Sequence, residues 1–378
     1  MLSAMRRRGF ISTPLSVLAT SGLLAACCAP GDLDCPELKL NDIQVLASHN
    51  SYHVEPEPLL MNALRGVIGD QANGFEYTHL PLAGELDHGV RQIELDVFVD
   101  SPAGGHYATP KVVPLLGLEP VDPRMGQPGL KVFHVQEVDY RSSCPTFVSC
   151  LEQVRDWSDD HPDHLPIMIQ IEPKDDSIGD PVGLGFVDPL PWTTPAFATM
   201  EAEIASVFPQ DRIIRPADVK GDKPTLSEGV LADQWPTLSS ARGKVMFTLD
   251  DTGAERALYR ALKPNVADRL IFAAAAPPDP EAAFVVMNNP TQTAQIQALV
   301  AQGYLVRTRA DGDTVEARSG DTTKRDAAWA SSAHYVSTDY VVADPRFTDY
   351  VVTLPGGGVA RCNKISAPAG CRPSQLTE

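Results

Sequence analysis

Short apolar runs that end in polar residues recur along this chain. Ile43–Ala47, Arg91–Ile93, Leu130–Phe133 and Pro166–Ile171 each read as a strand, and Lys244–Leu249, Ala283–Met287, Tyr304–Arg307 and Tyr335–Val341 bring the candidates to eight. Most are continuously apolar, as expected of strands covered on both faces. Between them, apolar residues fall at helical spacing over Leu59–Val67, Leu80–Asp87, Thr146–Trp157, Thr194–Val207, Ala254–Leu262 and Thr291–Gln302. Gly303 stops the last of these, in the usual C-terminal place for glycine. Strands alternating with helices predict an α/β fold with a parallel sheet, and eight strands predict closure into a TIM-type (β/α)8 barrel. A chain of 378 residues fits one such barrel, about 250 residues in its usual size, with insertions. Two stretches, Asp100–Pro128 and Asp175–Pro195, follow the second and fourth strands and are expected to shape the barrel mouth. The expected divisions are a signal segment over 1–26, a linker over 27–40, the barrel over 41–350 and a C-terminal appendage over 351–378.

The polar residues that end these runs carry the candidate chemistry. In a parallel barrel the C-terminal strand ends share one mouth, where active sites sit. That mouth would gather Ser48-His49-Asn50-Ser51-Tyr52, Glu94-Leu95-Asp96, Phe133-His134 and Ile171-Glu172-Pro173-Lys174. Two histidines, three carboxylates, an amide and a lysine form a kit for metal-assisted phosphoryl transfer. Histidine can stabilise phosphoryl charge or protonate a leaving alkoxide near neutral pH. Glu94 and Asp96, two apart on a strand, point to one face. Carboxylates that close repel unless a cation lies between them, and with Asn50 and Glu172 they form an oxygen-only set suited to Ca2+ or Mg2+. His53 could serve as a zinc partner, but no further ligand pattern supports zinc. Lys174 is either a hold for a phosphate oxygen or a surface lysine in an acidic loop. Arg307, Arg309 and Asp339-Tyr340 end the last two strands. A sugar ring could stack on Tyr340 and bond to those charges, or they could be solvated rim residues. Asp311-Gly312-Asp313 looks like a metal motif but reads better as a turn.

Charge and cysteine usage narrow the setting. The formal charge of −18 repels nucleic acid and anionic bilayers at long range, so an anionic lipid must be met by a local basic site. Arg6-Arg7-Arg8 precedes an apolar stretch from Leu15 to Ala26 that is too short for a membrane span and fits a signal segment. Arg7-Arg8-Gly9-Phe10-Ile11 resembles a twin-arginine export motif, and Leu24-Ala25-Ala26-Cys27 resembles a bacterial lipobox with Cys27 as the lipidated residue. Of seven cysteines, Cys144 with Cys150 and Cys362 with Cys371 read as local disulfides of an exported protein.

Taken in order, His49-Asn50, Glu94-x-Asp96, His134 and Glu172 resemble the catalytic domain of the calcium-dependent phosphoinositide-specific phospholipase C family. The bacterial secreted branch is the nearest pattern, through Asn41-Asp42-Ile43-Gln44 and Ser48-His49-Asn50-Ser51-Tyr52, and the resemblance spans roughly residues 41–345. It implies Asn50, Glu94, Asp96 and Glu172 as Ca2+ ligands. It implies cleavage of phosphatidylinositol-type lipids at a membrane surface, on the diacylglycerol side, through a cyclic inositol phosphate. Glu94 or Glu172 would take the proton of the inositol 2-hydroxyl, His49 would stabilise phosphoryl charge, and His134 would protonate the diacylglycerol oxygen. Lys174, Arg307 and Tyr340 would contact the headgroup. No obligate protein partner is expected. A glycerophosphodiester phosphodiesterase is the enzyme alternative, but its His-Arg-Gly stands here as His49-Asn50-Ser51. A non-catalytic, calcium-dependent lipid- or sugar-binding surface protein is the alternative of another class.

Overall fold

The structure, a computed structural model, describes residues 36–378; the signal segment and Cys27, Cys28 and Cys35 lie outside the described residues. Eleven strands join in one sheet: β1 (Ile43–Ser48), β2 (Val90–Phe98), β3 (Lys131–Val132), β4 (Ile167–Lys174), β5 (Ile213–Ile214), β6 (Val245–Leu249), β7 (Ile271–Ala273), β8 (Phe284–Val286), β9 (Leu305–Arg309), β10 (Tyr335–Thr338) and β11 (Ala360–Cys362). Parallel ladders run from β7 through β6, β4, β2, β1, β10 and β9 to β8. The Ala275 amide donates to the Phe284 carbonyl at 3.0 Å, bringing the end of β7 onto β8. Eight parallel strands thus curl into the expected TIM-type barrel.

One stave differs from the expectation. The run Leu130–Phe133 forms only β3, which pairs antiparallel to the outer end of β2 through Val97↔Val132 and Phe98↔Lys131. The reason is geometric. β1 ends at Ser48, while β2 continues to Phe98, so β2 has a free edge beyond the mouth that β3 covers. The vacant place in the ring belongs to β7, which pairs with Phe247–Leu249 of β6, while β5 pairs with Val245 and Met246 on the same flank.

The pleat of β2 explains both core and site. Ile93, Leu95 and Val97 turn outward into an apolar layer with Ile169, Ile171, Phe247 and Leu249, and Phe147, Leu151 and Phe197 pack on it from the helices Phe147–Asp160 and Thr194–Val207. Gln92, Glu94 and Asp96 alternate with them and face the barrel interior, buried too. The Cys144–Cys150 disulfide ties the approach to helix Phe147–Asp160, and Thr146 caps that helix by accepting from the Ser149 amide at 3.2 Å. The second disulfide, Cys362–Cys371, starts from the last residue of β11, which pairs antiparallel to β1. The tail then returns Glu378 to the buried guanidinium of Arg91, whose Nε donates to Oε1 at 2.8 Å.

Candidate active site

Residues of three strands, β2, β4 and β9, with segments that follow β1, β3, β6, β8, β9 and β10, line a cavity of about 420 Å3 at the barrel mouth. Its acidic side is set by the β2–β4 register. Asp96 lies directly across from Glu172, and Glu94 across from Gln170. Oxygens of Glu94, Asp96 and Glu172 all lie within 4.8 Å of one another. Asp96 is fully buried, yet among the described residues neither of its oxygens meets a donor at close hydrogen-bond geometry. The Lys174 ammonium forms a long ion pair with Oδ2 at 3.6 Å, and the Tyr52 hydroxyl faces the carboxylate. Asn50 sits in the left-handed region at φ 49, which asparagine tolerates, and its amide donates to the Tyr77 hydroxyl at 3.1 Å. That leaves its buried Oδ1 without a hydrogen-bond partner among the described residues.

These orphaned acceptors fit a hard cation. Buried acceptors with no donor are costly, and an ion that takes six to eight oxygens satisfies them together. The proton affinities agree. Burial, with Asp250 and Glu172 nearby and despite Arg307, pushes Glu94 up to about 7. Burial and Glu172 push Asp96 well above the usual carboxylate range. Asp250, which accepts from the Gln170 amide at 2.7 Å, is raised to about 6 by burial and Glu172 against Arg307. Lys174 donates to Glu172 Oε1 at 3.0 Å. Despite its burial, Asp96 and Glu172 hold its ammonium charged above its ordinary range. Arg307 is buried at the base of the cavity, where Glu94, Asn288 and Ser337 occupy its fork.

The basic side carries the histidines. His49 Nδ1 donates to Asp339 Oδ1 at 2.7 Å, while Arg309 donates to His49 Nε2 at 3.1 Å and to Asp339 Oδ2 at 3.0 Å. A guanidinium has only donors, so Nε2 accepts and the ring is neutral. Burial, although 17% of the side chain remains exposed, and then Arg309 push its pKa well below the ordinary value. The positive charge at this position is therefore that of Arg309. His134 lies opposite, with Nδ1 2.7 Å from Asp139 Oδ2.

Of the residues singled out in the sequence, His49, Asn50, Glu94, Asp96, His134, Glu172, Lys174 and Arg307 converge on this cavity. Tyr340 does not. Following inward-facing Asp339, it turns away from the interior, is 2% exposed, and meets Tyr350 edge to face at 5.9 Å. The two insertions do not line the cavity. They grip the turn that carries His134: Val187 donates to Glu137 Oε1 at 3.1 Å, Lys111 to Glu137 Oε2, and Gln136 to the Asp176 carbonyl at 3.2 Å. Tyr77, Asp139, Asp250 and Asn288 were not foreseen. Asp250 had a signal, since it ends the apolar run of β6 as Asp96 and Glu172 end theirs.

The family model for calcium-dependent phosphoinositide phospholipase C matches residues 38–364. The chain belongs to that family. Solved calcium-dependent phosphoinositol-specific phospholipases C of a Gram-negative Pseudomonas species share its fold. One apo crystal form is 17% identical, with a TM-score of 0.54 over 86% of this chain and 95% of that one. The form with myoinositol is 17% identical, with a TM-score of 0.51 over 80% and 90%. The calcium-dependent phosphatidylinositol-specific phospholipase C of Streptomyces antibioticus is 19% identical, with a TM-score of 0.49 over 80% and 95%. A comparison with curated protein sequences finds no match. As a member of this phospholipase C family, the chain is a phosphodiesterase that depends on calcium.

Proposed function

We propose that this cavity cleaves phosphatidylinositol-type lipids to diacylglycerol and a cyclic inositol phosphate, with Asn50, Glu94, Asp96 and Glu172 holding Ca2+. The observation that carries the reading is the buried Asp96 beside Glu94 and Glu172, with Lys174 no nearer than 3.6 Å and His134 across the same cavity. When bound, calcium supplies charge neutralisation at the phosphoryl oxygens and lowers the pKa of the inositol 2-hydroxyl. Glu94 or Glu172 takes that hydroxyl's proton as it attacks phosphorus. Arg309, held in place by the neutral His49 ring and Asp339, brings positive charge to the phosphoryl oxygens, and Lys174 faces them from the acidic side. His134 gives its proton to the departing diacylglycerol oxygen, then takes one from the water that opens the cyclic ester. His49→Ala and His134→Ala should each lower turnover by about a hundredfold or more, with the melting temperature little changed. Near-full activity in either variant would remove that residue from the mechanism.

The membrane setting belongs to the same proposal. Leu59, Val67, Leu115, Ile178 and Val182 are 40–60% exposed, and all lie on segments that follow β1, β2 and β4 at the mouth. Apolar groups on that face suit contact with a lipid surface despite the acidic charge. No helix among the described residues is long and apolar enough to cross a membrane. Export, with Cys27 lipid-anchored, rests on the arginines and Leu24-Ala25-Ala26-Cys27. Mass spectrometry of the native N-terminus tests it; an unmodified start elsewhere would make the enzyme a soluble secreted one.

A further inference from the structure

We propose that Asp139, held by His53, is the positioning residue that fixes the tautomer and orientation of His134 for proton transfer. This rests on the reading of His134 as the proton donor to the diacylglycerol oxygen. Asp139 and His53 are completely buried and line no part of the cavity. One oxygen, Asp139 Oδ2, lies 2.7 Å from His134 Nδ1 and 2.8 Å from His53 Nε2. The other His53 nitrogen, Nδ1, is 3.0 Å from the Tyr77 carbonyl oxygen.

Donor counting assigns the protons. Both His53 nitrogens face acceptors, so that ring donates from both and is cationic, balanced by the Asp139 carboxylate. His134 must then donate from Nδ1, which leaves Nε2 to serve the cavity. Ligand atoms of His53, His134 and Asp139 lie within 4.8 Å of one another, as in a metal site. However, two ligands of a tetrahedral zinc with bonds near 2.0 Å stand about 3.3 Å apart, and these N–O separations are hydrogen bonds. Burial works against the Asp139 charge, but His53 and His134 outweigh it and hold the carboxyl below the usual range.

The backbone builds this contact locally. Val135 and Asp139 exchange amide bonds at 3.0 and 2.9 Å across a tight turn, with Glu137 at φ 68. The turn returns Asp139 to the histidine five residues before it. His53 is supplied by the turn after β1, where its amide donates to the Asn50 carbonyl at 2.8 Å. One carboxylate oxygen therefore ties the metal-side turn to the proton-donor turn. In the reaction, the P–O bond to diacylglycerol breaks, its electron pair stays on oxygen, and the Nε2 proton of His134 goes there. The neutral ring that remains is still bonded through Nδ1–H to Asp139.

The test compares phosphatidylinositol with inositol p-nitrophenyl phosphate, whose leaving group needs no proton. Asp139→Asn should lower kcat on the lipid by about a hundredfold with KM within a few-fold, and lower kcat on the nitrophenyl ester only a few-fold. His134→Ala should show the same contrast, and the double variant should be no slower than His134→Ala alone. Equal loss on both substrates by a folded Asp139→Asn would reduce Asp139 to a structural residue and overturn the proposal. Absence of the contrast in His134→Ala would instead overturn the reading of His134 on which it rests. Nitrogen-15 histidine spectra of the unaltered protein give a check that needs no variant. They should show neutral His134 protonated at Nδ1 and His53 protonated at both nitrogens. A neutral His134 protonated at Nε2, or a neutral His53, would overturn the assignment.

Discussion

Asp96 and Glu94 lie on the inner face of β2 with more proton affinity than exposed carboxylates have, and this couples calcium to pH. The raised values belong to the metal-free protein: about 7 for Glu94 and about 6 for Asp250, with Asp96 also raised. A cation binds the deprotonated cluster, so protons compete with it below those values. Calcium affinity should therefore rise as pH rises through about 6 to 7 and level off above. Stability has the opposite sign in the metal-free protein. Carboxyls whose folded pKa is raised bind more protons folded than unfolded, so their contribution is lost as pH rises through that window. Calorimetry at pH 6 in buffers of different ionisation heat should reveal proton release on calcium binding; no release, and an affinity flat with pH, would contradict the account. His49-Asn50, Glu94-x-Asp96, His134 and Glu172-x-Lys174 were legible because each ends an apolar run. Asn288, Tyr77 and Asp139 were not. They lie on irregular segments where no period ties a polar residue to a face, and only the folded turns bring them in.

At the level of elements, local pattern gave most of the barrel but misplaced one stave. Leu130–Phe133 has the composition of a buried strand and is buried, but pairing with the overhang of β2 is a non-local outcome that composition does not encode. Ile271–Ala273 has only three residues in register, too few for a periodic signal. β2 itself read as short because Glu94 and Asp96 look like terminators, although inside a functional barrel they are interior positions. The tail shows the same limit. Its disulfide was readable, but not the return of Glu378 to Arg91, which is 2% exposed and also donates to the Leu86 and Val90 carbonyls at 2.8 and 2.6 Å. The Leu165 amide donates to Glu378 as well, at 2.6 Å. Glu378→Ala should leave that guanidinium without its carboxylate and lower stability by about 2–3 kcal/mol, somewhat less than for a fully buried pair because 18% of the Glu378 side chain is exposed. Thermal or urea denaturation measures this, and an unchanged midpoint would mean that water replaces the carboxylate at little cost.

For the molecule as a whole, the architecture separates duties between the two ends of the barrel. The N-terminal ends of the strands are closed by β11 and the disulfide-bonded tail, which fix the scaffold. The C-terminal ends present acids on β2 and β4, and bases on β9, after β1 and on the turn after β3. The long insertions brace that turn and carry exposed apolar side chains. This polarity suits an enzyme that meets its substrate at one face. The central claim is that this mouth performs calcium-dependent transfer of the phosphoryl group to the substrate's own 2-hydroxyl. Because that hydroxyl is already held near phosphorus, its attack outpaces that of water. Phosphorus NMR of phosphatidylinositol turnover, with calcium and with excess chelator, tests it most directly. With calcium, a cyclic inositol phosphate should appear as a transient signal before the open monophosphate, and with chelator neither should form. Undiminished turnover in chelator, or cleavage of glycerophosphocholine with no cyclic species at any time, would contradict the account.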